Sequence, residues 1–170
     1  LLIIPWGKLR FFGYCVVVDY EKTIEDMVKA GRYGYKNPGI NSDNFPVSGE
    51  GVVRVNLKLV KFKKGVNRED VEAYFEKKGL RAGKLEELLA FGMVCLEIPQ
   101  ESTIIALGSR FADSSGKWYN VPCLCHNSCS SHSLCLDADH VVWDNHCRFL
   151  AVRKQPPGFL CSLSLGLGRL

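Results

Sequence analysis

An alternation of apolar and polar side chains runs through residues 52–62 of this 170-residue chain. Successive residues of a strand point to opposite faces of the sheet, so a period of two predicts a strand with one buried face. Such a strand needs further strands beside it and a layer that covers its apolar face. The alternating apolar positions are Val53, Val55, Leu57 and Leu59, and the polar positions between them are Arg54, Asn56 and Lys58.

Helix signals lie on both sides of this strand. Thr23 precedes a short helix that Gly31 ends, and Asn67 precedes a helix that Gly79 ends. Residues 84–91 predict a further helix that stops at Gly92, with Glu86 and Glu87 as acids of its first turn. More strands are predicted at 14–19, 102–107, 118–124, 133–137 and 147–152. The order strand, helix, helix, strand and several more strands predicts an α+β fold with two helices packed on a mostly antiparallel sheet.

The window 121–147 has an unusual composition. None of its 27 residues is Lys, Glu, Gln or Met, whereas the other 143 residues hold 13 Lys, 10 Glu, 2 Gln and 2 Met. Ordinary usage would place about five of these residues in the window. Cys, His, Ser, Asp and Asn are abundant there instead, and all five are reached from an AAC or AAT codon by changing adenines. Lys, Glu, Gln, Met and Trp are not reached in this way.

The same window alternates along its predicted strands. Leu124 lies between Cys123 and Cys125, and Leu134 and Leu136 alternate with Cys135 and Asp137. We expect the leucines to point into the core and the other side chains to face solvent. Substitution of the outward set would then change the surface and leave the core intact, because surface changes usually alter the unfolding free energy by less than about 0.5 kcal/mol.

Metal binding and thiol chemistry are the alternative interpretations of the window. Zinc prefers tetrahedral Cys and His ligands, but the spacing of the six candidate side chains matches no standard finger. A thiol oxidoreductase would use Cys123, Cys129 or Cys147 beside His126 or His146. Calcium would use Asp137, Asp139 and Asp144, with no Glu accompanying them. The six candidate zinc ligands are Cys123, Cys125, His126, Cys129, His132 and Cys135.

Composition argues against several other classes. The net charge is +4 and the lysines form no dense stripe, so nucleic-acid binding is not expected. No apolar run approaches the about 20 residues of a membrane-spanning helix. The cysteine positions do not resemble a disulfide framework, because five of the eight fall within residues 123–147.

Three segments carry a resemblance to a known family: GLRAGKLEELLAFG (79–92), IIALGSRF (104–111) and RFLAVRK (148–154). They resemble the variable proteins of diversity-generating retroelements, particularly those of archaeal viruses and small-genome bacteria. These proteins have a C-type lectin fold of the branch that includes the formylglycine-generating enzyme. The resemblance covers about residues 15–154, so we expect one domain over 1–154, a variable region at about 121–147 and a C-terminal tail over 155–170.

The resemblance implies a receptor-binding protein without catalytic residues or cofactor, whose surface is rewritten by adenine-directed mutagenesis. The implied ligand is a protein or glycan on a cell surface, and the implied location is a virion or cell surface. Invariant framework positions are Val121, Pro122, Leu124, Leu134, Leu136, Trp143, Phe149, Leu150, Ala151 and Val152. The expected ligand-binding positions are Cys123, Cys125, His126, Asn127, Cys129, His132, Cys135, Asp137, His140, Asn145, His146 and Cys147, with Trp143 as a further contact.

Overall fold

A mostly antiparallel open sheet carries helices on both of its faces in the computed structural model. The structure describes residues 13–95, 102–112, 114–117, 119–126, 132–139 and 141–154. The elements in chain order are β1 (Gly13–Asp19), α1 (Ile24–Gly31), β2 (Tyr35–Lys36), β3 (Val52–Lys61), α2 (Arg68–Lys77), β4 (Leu80–Ala82), α3 (Leu85–Val94), β5 (Thr103–Ile105), β6 (Phe111–Ala112), β7 (Tyr119–His126), β8 (His132–Ala138) and β9 (Cys147–Arg153). The α+β class predicted from the sequence is confirmed.

The sheet order is β1-β3-β9-β5-β7-β8-β2, with β4 also paired to β9 and β6 to β7. Two pairs are parallel, β5 with β9 and β2 with β8, and the others are antiparallel. β9 therefore lies inside the sheet, paired with β3, β4 and β5. The strands predicted at 14–19, 52–62, 133–137 and 147–152 are confirmed, and the one predicted at 102–107 is shorter. The strand predicted at 118–124 is confirmed over its described residues, 119–124.

Three helices pack on the sheet within the described residues, so the expected number of two is wrong. The third is α1, the short helix after Thr23. It packs on the sheet because Ile24, Met27 and Val28 share an apolar core with α3. Its first turn is capped by the Thr23 hydroxyl oxygen, which accepts a hydrogen bond from the Asp26 backbone N–H at 3.2 Å. The predicted start of α2 after Asn67 is confirmed, and Asn67 and Asp70 form a capping box there.

Gly92 does not end α3, which continues to Val94. A Cβ atom at Gly92 would lie 2.5 Å from the Tyr33 hydroxyl oxygen and 3.2 Å from Cδ1 of Leu124. Glycine is therefore explained here by the close approach of neighbouring side chains, and the prediction that it terminates the helix is wrong.

Each face of the sheet supports its own apolar core. The first core lies under α1 and α3, and it includes Leu124 and Leu134. The second core lies under α2 and includes Cys123, Trp143 and Phe149. Because strand side chains alternate between faces, β5, β7 and β9 contribute to both cores. The middle of the sheet is consequently covered on both sides.

Candidate functional site

The predicted ligand-binding residues are concentrated on β7, β8 and the segment that leads to β9. β7 and β8 pair antiparallel, with Leu124 opposite Leu134 and Cys123 opposite Cys135. Leu124 and Leu134 are buried in the first core, and Leu136 is partly buried against it. The predicted inward orientation of the leucines is therefore confirmed.

The opposite face of this pair is not a free surface, and the expectation that its thiols face solvent is wrong for Cys123. This side chain is 3% exposed and belongs to the second core. Cys125 is half-buried, and Cys135 is half-buried against that core. The prediction that leucines and thiols lie on opposite faces of the strands is confirmed. The face that carries the thiols is not exposed, however, because α2 and the segment around Trp143 contribute to the core on that side.

Three thiols form a cluster on this face. The sulfur atoms of Cys125 and Cys135 lie 3.1 Å apart, and the Cys125 sulfur lies 3.7 Å from the Ser133 carbonyl oxygen. Hydrogen bonds from the Cys123 thiol and then from the Cys135 thiol lower the pKa of Cys125 to about 6, against the effect of burial. The hydrogen bond to Cys125 and burial raise the pKa of Cys123 well above its ordinary value. Cys125 is thus the first thiol of the cluster to ionise.

A side-chain hydrogen bond between Asp137 and Trp143 links β8 to the segment that follows it. The indole N–H of Trp143 donates to Oδ2 of Asp137 at 3.0 Å, and the Ala138 backbone N–H donates to Oδ1 at 2.8 Å. The Trp143 ring meets Phe149 edge-on, with ring centroids 5.5 Å apart. Trp143 is only 3% exposed, so its expected role as a ligand contact is wrong in this structure, whereas its framework role agrees with its burial.

The segment between Trp143 and β9 forms an exposed tip with fixed ends. Backbone hydrogen bonds of 3.0 Å and 2.9 Å join Val66 and Trp143 in both directions. Within the tip, the backbone N–H of His146 donates to Oδ1 of Asp144 at 2.8 Å. Asp144, Asn145 and His146 are exposed, and Cys147 is partly buried at the start of β9. This arrangement presents two predicted contact residues, Asn145 and His146, on an anchored turn.

Two further residues of this region were not identified from the sequence. Val142 is 71% exposed beside the tip, a large apolar side chain in water. Arg68 fixes the residue that follows β8, because its Nε donates to Oδ1 of Asp139 at 2.6 Å and its NH1 donates to the Leu107 carbonyl oxygen at 3.1 Å. A cation in the first turn of a helix opposes the helix dipole, so the position of Arg68 in α2 was a signal of a tertiary partner.

The acidic residues considered for calcium are directed to different protein donors. Asp137 accepts from Trp143, Asp139 from Arg68 and Asp144 from the His146 backbone. In the part of the chain that the structure describes, no group of three His, Cys, Asp or Glu side chains is arranged to hold a metal ion.

The remaining predicted positions divide between the strands and the undescribed residues. His126 is opposite His132 at the end of the β7–β8 pairing, and His132 is partly exposed. Asn127, Cys129, His140 and the side chain of His126 lie outside what the structure describes, and so does the tail over 155–170.

Cys147, considered for thiol chemistry, has its sulfur 3.8 Å from Oδ1 of Asp144. Burial and then the Asp144 charge raise the pKa of Cys147 to about 11, which disfavours the thiolate that a nucleophile needs.

The described helices include none that is long and apolar enough to cross a membrane. Comparisons with protein-family models, with curated proteins and with solved structures find no match to this chain. The class that the structure defines is an α+β protein with a partly buried thiol cluster and an anchored, exposed tip.

Proposed function

We propose that this chain is a ligand-binding variable protein of a diversity-generating retroelement, with a C-type lectin fold and no catalytic role. The observation that carries the proposal is the absence of Lys, Glu, Gln and Met from residues 121–147, where about five are expected. Adenine-directed mutagenesis of AAC and AAT codons leaves this deficit, because none of these four residues is reached from such a codon.

Burial of the framework positions supports the proposal. Nine of the ten positions that match the family framework are buried, and the tenth, Leu136, is partly buried. Of the predicted variable positions whose side chains are described, only Cys123 is buried. A scaffold that tolerates rewriting needs this separation, since substitutions in a packed core cost far more than those at the surface. Cys123 belongs with the scaffold in this variant.

The anchored tip supplies the preorganised surface that binding requires. Trp143 is held by its hydrogen bonds with Val66 and Asp137, and Cys147 pairs with Thr103 at the start of β9, so both ends of the tip are fixed before a ligand arrives. Preorganisation lowers the entropy cost of association. We assign ligand contacts to His132, Val142, Asn145 and His146, and we propose a cell-surface protein or glycan as the ligand.

Reading the DNA that flanks the gene tests this function directly. We expect a reverse-transcriptase gene and a near-copy of codons 121–153, differing from the coding sequence only where the copy holds adenine. A near-copy that also differs at other bases would contradict the proposed mutagenesis. If a complete source genome held neither the reverse-transcriptase gene nor the near-copy, the proposal would be refuted.

Substitution at one exposed and one buried position within the window tests the scaffold. Asn145→Tyr is expected to change the free energy of unfolding by less than about 0.5 kcal/mol, because the side chain is exposed. The matched control Leu134→Ala is expected to lose about 2–5 kcal/mol, because Leu134 is fully buried. Urea denaturation measures both values. Equal losses at the two positions would contradict the separation of surface from scaffold.

A further inference from the structure

The thiol cluster on β7 and β8 has a geometry that a variable binding surface does not require. We propose that Cys125 and Cys135 are a thiol–disulfide exchange site that forms an intramolecular cross-strand disulfide by reaction with a small-molecule disulfide. This inference does not depend on the proposed function, because it concerns the chemistry of the thiols and not the ligand.

The positions of the two sulfur atoms support bond formation. They are 3.1 Å apart and a disulfide bond is about 2.05 Å long, so they have to approach by about 1 Å. The two residues are diagonal neighbours across the pair, since Cys125 is opposite Ser133 and Cys135 is two residues further along β8. The sulfur contact shows that the two side chains reach each other across this diagonal.

The environments of the three thiols set the order of attack. Cys125 is half-buried, whereas Cys123 is 3% exposed and its pKa is raised. Ser133 contributes a further buried hydroxyl oxygen without a hydrogen-bond partner on the same face, opposite Cys125. Cys125 is therefore the attacking thiol, Cys135 is the resolving thiol, and Cys123 stays reduced.

The reaction balances with oxidised glutathione as the disulfide. The Cys125 thiolate attacks one glutathione sulfur, which breaks the glutathione S–S bond and releases one glutathione thiolate. The Cys135 thiol then loses its proton and attacks the Cys125 sulfur, which releases the second glutathione as a thiolate. The protein dithiol loses two electrons and two protons, and one glutathione disulfide becomes two glutathione thiols.

A bond between Cys125 and Cys135 closes a ring that contains the connection from β7 to β8. Cross-linking a ring of this size restricts the unfolded chain, and we expect the melting temperature of the oxidised protein to rise by about 5 °C. A reductant would reverse the rise.

Peptide mapping of the natural chain tests the proposal. The protein is freed of metal with a chelator and incubated with oxidised glutathione at pH 7. It is then unfolded in denaturant that contains the alkylating reagent, so that every remaining thiol is labelled, and digested with pepsin at acidic pH. Cleavage beside Leu124 and Leu134 separates the relevant cysteines, and fragment sequencing distinguishes Cys125 from Cys129. We expect a Cys125–Cys135 link and an alkylated Cys123. A link between Cys123 and Cys135, or an unlinked Cys125, would overturn the proposal.

Two variants separate the steps. Cys135→Ser removes the resolving thiol and is expected to accumulate a stable mixed disulfide between Cys125 and glutathione. The control is Cys15→Ser, which replaces an exposed cysteine on β1 and should still form the Cys125–Cys135 link. The order of attack can also be tested without any substitution in the cluster, by measuring the alkylation rate of Cys125 in the reduced natural chain. It should reach half its maximum near pH 6, and at pH 7 it should exceed the rate at Cys135 at least about tenfold. Equal rates at the two thiols would contradict the assigned order.

Discussion

Phe149→Ala is expected to lower the free energy of unfolding by about 3–5 kcal/mol. Phe149 is fully buried on β9, inside the sheet. Its ring lies edge-on to Phe62 and Trp143, with centroids 5.7 Å and 5.5 Å away. Truncation removes these contacts and leaves a cavity that the paired strands on both sides of β9 cannot fill. Urea denaturation monitored by circular dichroism measures the loss.

Phe149→Leu is the control, since it keeps an apolar side chain of reduced volume and should lose less than the alanine variant. The truncation also opens the second core beside Cys123. We therefore expect native-state alkylation of Cys123 to become faster in Phe149→Ala than in Phe149→Leu. A loss below about 1 kcal/mol for the alanine variant would show that the second core contributes little to stability.

The sequence predicted this fold well where one residue pattern determined one outcome. The alternation over 52–62 became β3, and the caps at Thr23 and Asn67 began α1 and α2. Short strands were not predicted because two or three residues carry no period. β2, β4 and β6 exist because longer strands pair with them, as Tyr35 and Lys36 pair with β8.

The candidate site could be predicted only in part, because alternation separates two faces of a strand but does not say what covers each face. Leu124 and Cys123 were correctly placed on opposite sides of β7, yet both are buried. The cover over Cys123 includes Trp143, which is distant in sequence and reaches the face through its bonds to Val66 and Asp137. Contacts of this kind have no local signature.

The acidic pair of α3 shows the same limit in the helix layer. Glu86 and Glu87 occupy the first turn, as predicted, where acids favour the helix dipole. Both are nevertheless buried, and Glu86 accepts hydrogen bonds from the Ser48 backbone N–H and hydroxyl at 2.9 Å and 3.2 Å. A dipole argument places acids in a helix turn but does not predict that tertiary donors surround them.

Arg81→Ala is expected to cost about 3 kcal/mol of unfolding free energy, because it leaves the Glu87 carboxylate buried without its cation. Glu87 is fully buried and accepts from Arg81 at 3.0 Å and 2.5 Å, one bond to each carboxylate oxygen. The Tyr20 hydroxyl and the Lys84 backbone N–H donate to the same carboxylate at 3.1 Å and 2.8 Å. These neutral donors remain in the variant, and partial exposure of Arg81 gives water access, so the loss falls at the low end of the range for broken buried pairs.

A double-mutant cycle distinguishes the ion pair from side-chain packing at the same site. Arg81→Lys keeps the charge without the two-point geometry and should lose less than Arg81→Ala. Combining Arg81→Ala with Glu87→Leu removes both charges, and the loss should be smaller than the sum of the two single losses. Urea denaturation of all four variants at pH 7 measures the coupling. Additive losses would show that Arg81 stabilises this core through its aliphatic stem, with no contribution from pairing to Glu87.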